Sequence, residues 1–187
     1  GAEGTGKSSL LNMFRMDVDA RRMVRLDSRF ANREDGVVAA LAAELECEAD
    51  TAQVQGALRG ENTVVVLDGL QRWFEPTARG VEQLLQLRQL LVASPASVLW
   101  VVVAGESAFA QLDDLADLTP VFSDRMHLDP LDGMEVRALI DARDRLSGVS
   151  LKHTAGTWKL RWPPYQRQSR LAATYFDDLA SASSGNP

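Results

Sequence analysis

The first eight residues, Gly1-Ala2-Glu3-Gly4-Thr5-Gly6-Lys7-Ser8, match the pattern G-x-x-x-x-G-K-[ST] at every specified position. That spacing serves one kind of chemistry, the wrapping of backbone N–H groups round a phosphate. Gly4 and Gly6 give the chain an inward-turning shape that side chains would obstruct. Lys7 supplies a point charge for the outer phosphates, and the Ser8 hydroxyl is a hard oxygen donor for Mg²⁺. A helix beginning there directs its positive end at the anion. Gly1, Glu3, Gly4, Thr5, Gly6, Lys7, Ser8 and Ser9 are therefore the candidate phosphate-holding residues.

A second element completes a metal site. Thr63-Val64-Val65-Val66-Leu67 is a β-branched apolar run that ends in Asp68, and a strand of this kind is buried on both faces with its carboxylate at the tip. Asp68 then joins Ser8 as the candidate Mg²⁺ ligand and as a catalytic residue with Lys7. Many phosphate-loop hydrolases place Glu after that aspartate to orient the attacking water, and here the residue is Gly69. Binding is thus separable from hydrolysis. Glu75 and Glu106 are the acids available as substitutes, Glu106 because it follows the next apolar strand.

These residues need a frame. The apolar spacing predicts a helix over Ser8–Phe14, a strand over Met23–Asp27, a helix over residues 36–46, and a second helix over Leu84–Leu91 closed by Ser94-Pro95. Val98–Val103 reads as a fully apolar strand, Met126-His127-Leu128 as a short one, residues 133–146 as a charged amphipathic helix, and Leu171–Leu179 as a helix. Strands alternating with helices predict an α/β fold with a parallel sheet covered on both faces.

The net charge of −6 over 187 residues argues against bulk attraction to nucleic acid or anionic membrane. Cys47 is the only cysteine, so no disulfide framework or thiolate metal cluster is encoded, and His127 and His153 lack metal-ligand spacing. The apolar stretch Val98–Ala104 is too short to span a bilayer, which makes a soluble, cytoplasmic chain the default expectation. Trp158-Lys159-Leu160-Arg161-Trp162 interleaves aromatic and basic residues as base-stacking segments do; against the acidic whole, tryptophans packed in a loop are the simpler reading. The chain opens inside a motif and stops at Gly185-Asn186-Pro187, so a fragment of a longer protein is expected.

On the loop ending in Lys7-Ser8 and the strand ending in Asp68, the sequence resembles the AAA+ and STAND class of P-loop ATPases, the branch of initiator-type and signalling ATPases. The resemblance makes these two segments the Walker A and Walker B motifs. It implies a three-layer P-loop NTPase core over residues 1–131 and the start of a helical lid over residues 132–187. It makes Ser107, after the strand Val98–Ala104, the candidate γ-phosphate sensor. Phe122-Ser123-Asp124-Arg125, leading into Leu128-Asp129-Pro130-Leu131, resembles the arginine-finger segment and lid entry, with Arg125 acting in trans on a neighbour's nucleotide. Ala138–Arg143, Tyr175–Leu179 and Gly185-Asn186-Pro187 resemble parts of the lid. The resemblance also implies a strand before residue 1, lying centrally between the Asp68 strand and the Val98 strand.

The expected function is therefore an ATP- and Mg²⁺-dependent switch or motor with slow or partner-stimulated hydrolysis, working with further copies of itself or with effector domains. Two readings stand beside it. A non-hydrolysing, nucleotide-dependent scaffold accords with Gly69, and a small-molecule kinase shares the phosphate loop but lacks a compact arginine-rich lid. An ABC-type ATPase is the poorer fit, because residues 50–62 hold no LSGGQ-like signature, and ATP over GTP rests on the resemblance alone, with no NKxD-like tetrapeptide present.

Overall fold

The computed structural model describes residues 6–17, 22–30, 34–59, 62–148 and 175–183. Its elements run α1 (Lys7–Asp17), β1 (Arg22–Asp27), α2 (Gly36–Leu45), α3 (Thr51–Ala57), β2 (Thr63–Asp68), α4 (Ala78–Val92), β3 (Val98–Val103), α5 (Glu106–Ala116) and α6 (Gly133–Ser147), with short 3-10 turns at Ser28–Phe30, Leu70–Trp73 and Thr119–Val121. A last helix, α7, covers residues 175–182. The chain divides into two compact units, Ser8–His127 and a second made of Gly1–Lys7 with Leu128–Pro187.

In the first unit the strands form one parallel sheet in the order β1-β2-β3. Parallel neighbours need long crossovers, which α2 with α3 supplies between β1 and β2, and α4 between β2 and β3. Side-chain alternation divides the strands into two faces. Val24, Leu26, Val65 and Leu67 pack with Val37, Leu41, Leu84, Leu87 and Leu90 in the main core. The opposite face buries Val64 and Val66 under Leu11 of α1, with Phe14, Met23, Val101 and Val103 packed around them. Helices on both faces of a parallel sheet make the three-layer α/β architecture that the alternation of elements predicts.

The central strand behaves as its composition requires: residues 63–67 are all buried and Leu67 has no exposure. The expectation of a strand between β2 and β3 is corrected, because the two pair directly from Thr63↔Val98 to Asp68↔Val103. Their facing N–H and C=O groups satisfy each other, so no gap exists there to fill. Among the described residues β3 is an edge strand, all of it apolar, with Leu99 52% exposed.

Two helices appear that the apolar spacing alone does not predict, α3 and α5. Asp50 starts α3 by accepting from the N–H groups of Ala52 and Gln53. Helix α4 begins earlier than its leucines suggest, because the Thr77 hydroxyl accepts from the Gly80 N–H and adds a turn. The short strand expected at Met126-His127-Leu128 is absent: the segment is irregular, Met126 is 78% exposed, and no neighbouring strand pairs with it among the described residues.

In the second unit, Asp132 and Glu135 cap α6 reciprocally, side chain to backbone in both directions. Val136, Phe176 and Ala180 form a small core between α6 and α7, joined by Leu131, Ile140 and Leu179. Gly133 permits this close packing, since a Cβ there would collide with the Asp177 carboxylate. The Trp158–Trp162 segment, residues 171–174, His153 and Gly185-Asn186-Pro187 lie outside the described residues.

Candidate functional site

Residues three and four apart share one face of a helix, and on α1 these are Ser8, Leu11 and Asn12. Leu11 is buried on the sheet between its two polar neighbours. On β2 the alternation that turns Val64 and Val66 toward α1 turns Asp68 the same way, and on β1 it does so for Met23 and Arg25. The result is a polar cluster at the C-terminal end of the sheet, where open α/β sheets bind ligands.

The Ser8 hydroxyl donates to Asp68 Oδ2 at 3.2 Å. Arg25 Nη2 donates to the same oxygen at 3.1 Å, and Arg25 Nη1 donates to Asn12 Oδ1 at 2.8 Å. The Arg25 and Asp68 side chains are 26% and 13% exposed, which shields their ion pair from full solvent screening. Arg25 Nε is buried with no acceptor.

Two residues beyond β1, a second arginine serves a second carboxylate. Arg29 holds Asp27 through Nε and Nη2 and also donates its backbone N–H. Those hydrogen bonds pull the Asp27 carboxyl down to about 2. A cleft of about 560 Å³ opens beside this pair, lined among others by Arg25, Asp27, Arg29, Asp35, Glu44 and Trp73.

Gly69 has a physical reason to follow Asp68. Its φ of 73° is left-handed, and a Cβ there would strike the Ser28 hydroxyl. The position that carries Glu in many hydrolases therefore has no room for one in this backbone. Gln71, in the 3-10 turn that follows, keeps its Oε1 buried without a partner.

The other sequence candidates are dispersed. Gly6 is left-handed at φ 85° and leads into α1 at Lys7; Ser9 is exposed on α1. Gly1, Glu3, Gly4 and Thr5 lie outside the described residues. Glu106 and Ser107 are the first two residues of α5, both exposed, and Glu106 Oε2 lies 3.8 Å from His127 Nε2. Glu75 is exposed in the loop before α4. The Arg125 guanidinium stands 4.9 Å over the Phe109 ring and donates to the Thr119 hydroxyl. Thr119 is in turn held by Asp113, whose pKa falls because of the Thr119 hydrogen bonds first and the Arg125 charge last.

Arg25, Asn12 and Gln71 are the polar residues of this region that the motifs did not indicate. Arg25 carried a signal: a charge inside a strand whose sheet is covered on both faces needs a partner. No group of three or more His, Cys, Asp or Glu side chains able to hold a metal is present among the described residues. No described helix is long and apolar enough to cross a membrane.

No protein-family model matches the sequence, and no curated protein matches it. Among solved structures, the chain is similar to the Orc1 protein of Aeropyrum pernix, seen in complex with DNA, at a TM-score of 0.54 and 15% identity. The likeness covers 78% of this chain and 42% of that one, so the chain spans less than half the length of the Orc1 protein. At such identity the likeness is one of fold alone, a three-layer α/β arrangement of the P-loop NTPase kind.

Proposed function

We propose that this chain binds ATP with Mg²⁺ as a STAND-type nucleotide switch of the AAA+ fold, with slow or partner-stimulated hydrolysis. The observation that carries the reading is the 3.2 Å hydrogen bond from Ser8 to Asp68. It joins the last residue of the phosphate-loop pattern to the carboxylate at the tip of the buried strand, 60 positions away in sequence. Two hard oxygens that converge in this way suit Mg²⁺, and the Arg25 guanidinium already stands as a cation against the same carboxylate. Ser8 and Asp68 would hold the ion, which when bound offsets charge on the outer phosphates. Gly1, Glu3, Gly4, Thr5, Gly6 and Ser9 would line the phosphates through the backbone, with Lys7 as their point charge.

Glu106 is the proposed water-orienting acid, Ser107 the proposed γ-phosphate sensor, and Arg125 the residue offered to a neighbouring copy. Segments that order around a γ-phosphate are the usual basis of such switches. Effector domains, the process served and a cytoplasmic location belong to the same proposal.

The test is binding of a fluorescent ATP analogue to the full chain, with Lys7→Ala and Asp68→Asn beside it. Lys7→Ala should lower affinity at least tenfold, a loss of about 1.4 kcal/mol; unchanged affinity would sink the proposal. The scaffold reading is favoured by one observation, the left-handed Gly69 against Ser28. Tight binding with no turnover at any protein concentration would select it.

A further inference from the structure

We propose that Arg25 is the resident counter-ion of Asp68 and competes with the divalent cation, so that a metal reaches Ser8 and Asp68 only when the guanidinium leaves. The inference rests on the nucleotide-site reading but concerns residues whose geometry stands by itself. Ser8 Oγ and Arg25 Nη2 meet on a single oxygen, Asp68 Oδ2, at 3.2 and 3.1 Å. An ion shared by Ser8 and Asp68 through that oxygen would lie against the guanidinium, and two cations on one carboxylate oxygen repel. The two occupants are therefore alternatives.

The guanidinium is also built to leave. Its Nη1 is held by a neutral amide, Asn12 Oδ1 at 2.8 Å, and its Nε is buried with no acceptor. A buried donor left unsatisfied weakens the bound arrangement. Arg25 also lines the 560 Å³ cleft, whose lining includes Asp35 and Glu44, and we take that cleft as the space open to a released guanidinium. The long, flexible arginine stem permits that excursion without moving β1.

In the closed arrangement Arg25 neutralises Asp68 and keeps Ser8, Asn12 and Asp68 connected. In the open one it vacates Oδ2 and turns to the cleft. Arg25 is thus a positioning residue that sets how much divalent cation the site requires.

The experiment is Mn²⁺ titration of the full chain without nucleotide, followed by electron paramagnetic resonance. Arg25→Met should bind Mn²⁺ about five- to tenfold more tightly than the parent chain, the range expected when one partly buried ion pair is removed. Asp68→Asn should abolish the gain. Arg25→Gln, which keeps an amide donor for Asn12, gives the same reading if the methionine variant does not fold. Equal or weaker Mn²⁺ binding by the folded variant, or no binding by either protein, overturns the proposal. Binding of the fluorescent ATP analogue, in EDTA and in Mg²⁺, separates the two ideas. A folded chain that takes up no nucleotide in either condition removes the nucleotide reading, while the Mn²⁺ result still decides the role of Arg25.

Discussion

Asp27 and Asp68 stand side by side at the ends of adjacent parallel strands, in register, and each carboxylate is held by its own arginine: Arg29 on Asp27 and Arg25 on Asp68. Two acids on neighbouring strand tips would repel one another. The paired cations turn that repulsion into a fixed array of charge, which gives the sheet end its order before any ligand arrives.

Acid should weaken the Asp27–Arg29 half of this array. Asp27 titrates near 2 in the folded chain against an ordinary 3.8, so its ionised form is stabilised by folding. That contribution is complete above the ordinary value and is lost as pH falls from about 4 toward 2. Urea unfolding at pH 5 and pH 2.5 should show a smaller acid loss in Asp27→Asn than in the parent chain. An identical loss in both would assign the acid sensitivity elsewhere.

Gly69→Ala should destabilise the chain by about 1–3 kcal/mol, from the left-handed backbone and the collision with Ser28 together. In a Ser28→Gly background the collision is relieved and only the backbone part remains. Thermal melts of the four proteins in this cycle test the claim; equal losses in both backgrounds would mean that Ser28 gives way freely. Gly69→Glu should be destabilising too, and should not create a hydrolase.

Arg125→Ala removes a cation over the Phe109 ring and a hydrogen bond to Thr119, both at an exposed position. The expected stability loss is about 0.5–1 kcal/mol. If Arg125 serves a neighbour, the parent chain's turnover per molecule rises with protein concentration and the variant's does not. Thr119→Val, which loosens Arg125 but keeps its charge, should retain the rise.

Leu67→Ala should cost about 2–5 kcal/mol, since Leu67 is fully buried at the centre of the sheet. Chemical denaturation measures the loss. A cost under about 1 kcal/mol would mean that the site collapses around the missing side chain.

The frame was legible where burial and composition agree. The five buried residues of β2 are all β-branched or leucine, and Asp68 follows at the tip. The loop pattern named Ser8, and Ser8 and Asp68 do meet. Two helices were hidden for opposite reasons. Helix α3 buries only Val54, too little for a period to emerge, and its signal was the Asp50 cap. Helix α5 has no side-chain cap at Gly105 to announce it, although Leu112 and Ala116 recur at helical spacing.

Strand order was the larger error. Apolar runs say that a strand is buried but not which strand covers it, and β2 and β3 carry the same valine-rich pattern. Arg25 was legible only as a charge in a covered strand, because its partner lies 43 positions away and leaves no local trace.

Among the described residues β3 ends the sheet, and its uncharged edge has a consequence for handling. Val98-Leu99-Trp100-Val101-Val102-Val103 contains no proline, glycine or lysine to discourage a second strand from adding, and half of Leu99 faces solvent. Such an edge recruits like edges. Concentrated or warmed samples should therefore be lost to β-rich precipitate before the core melts, and a single lysine at position 99 should keep the protein in solution without altering its melting temperature.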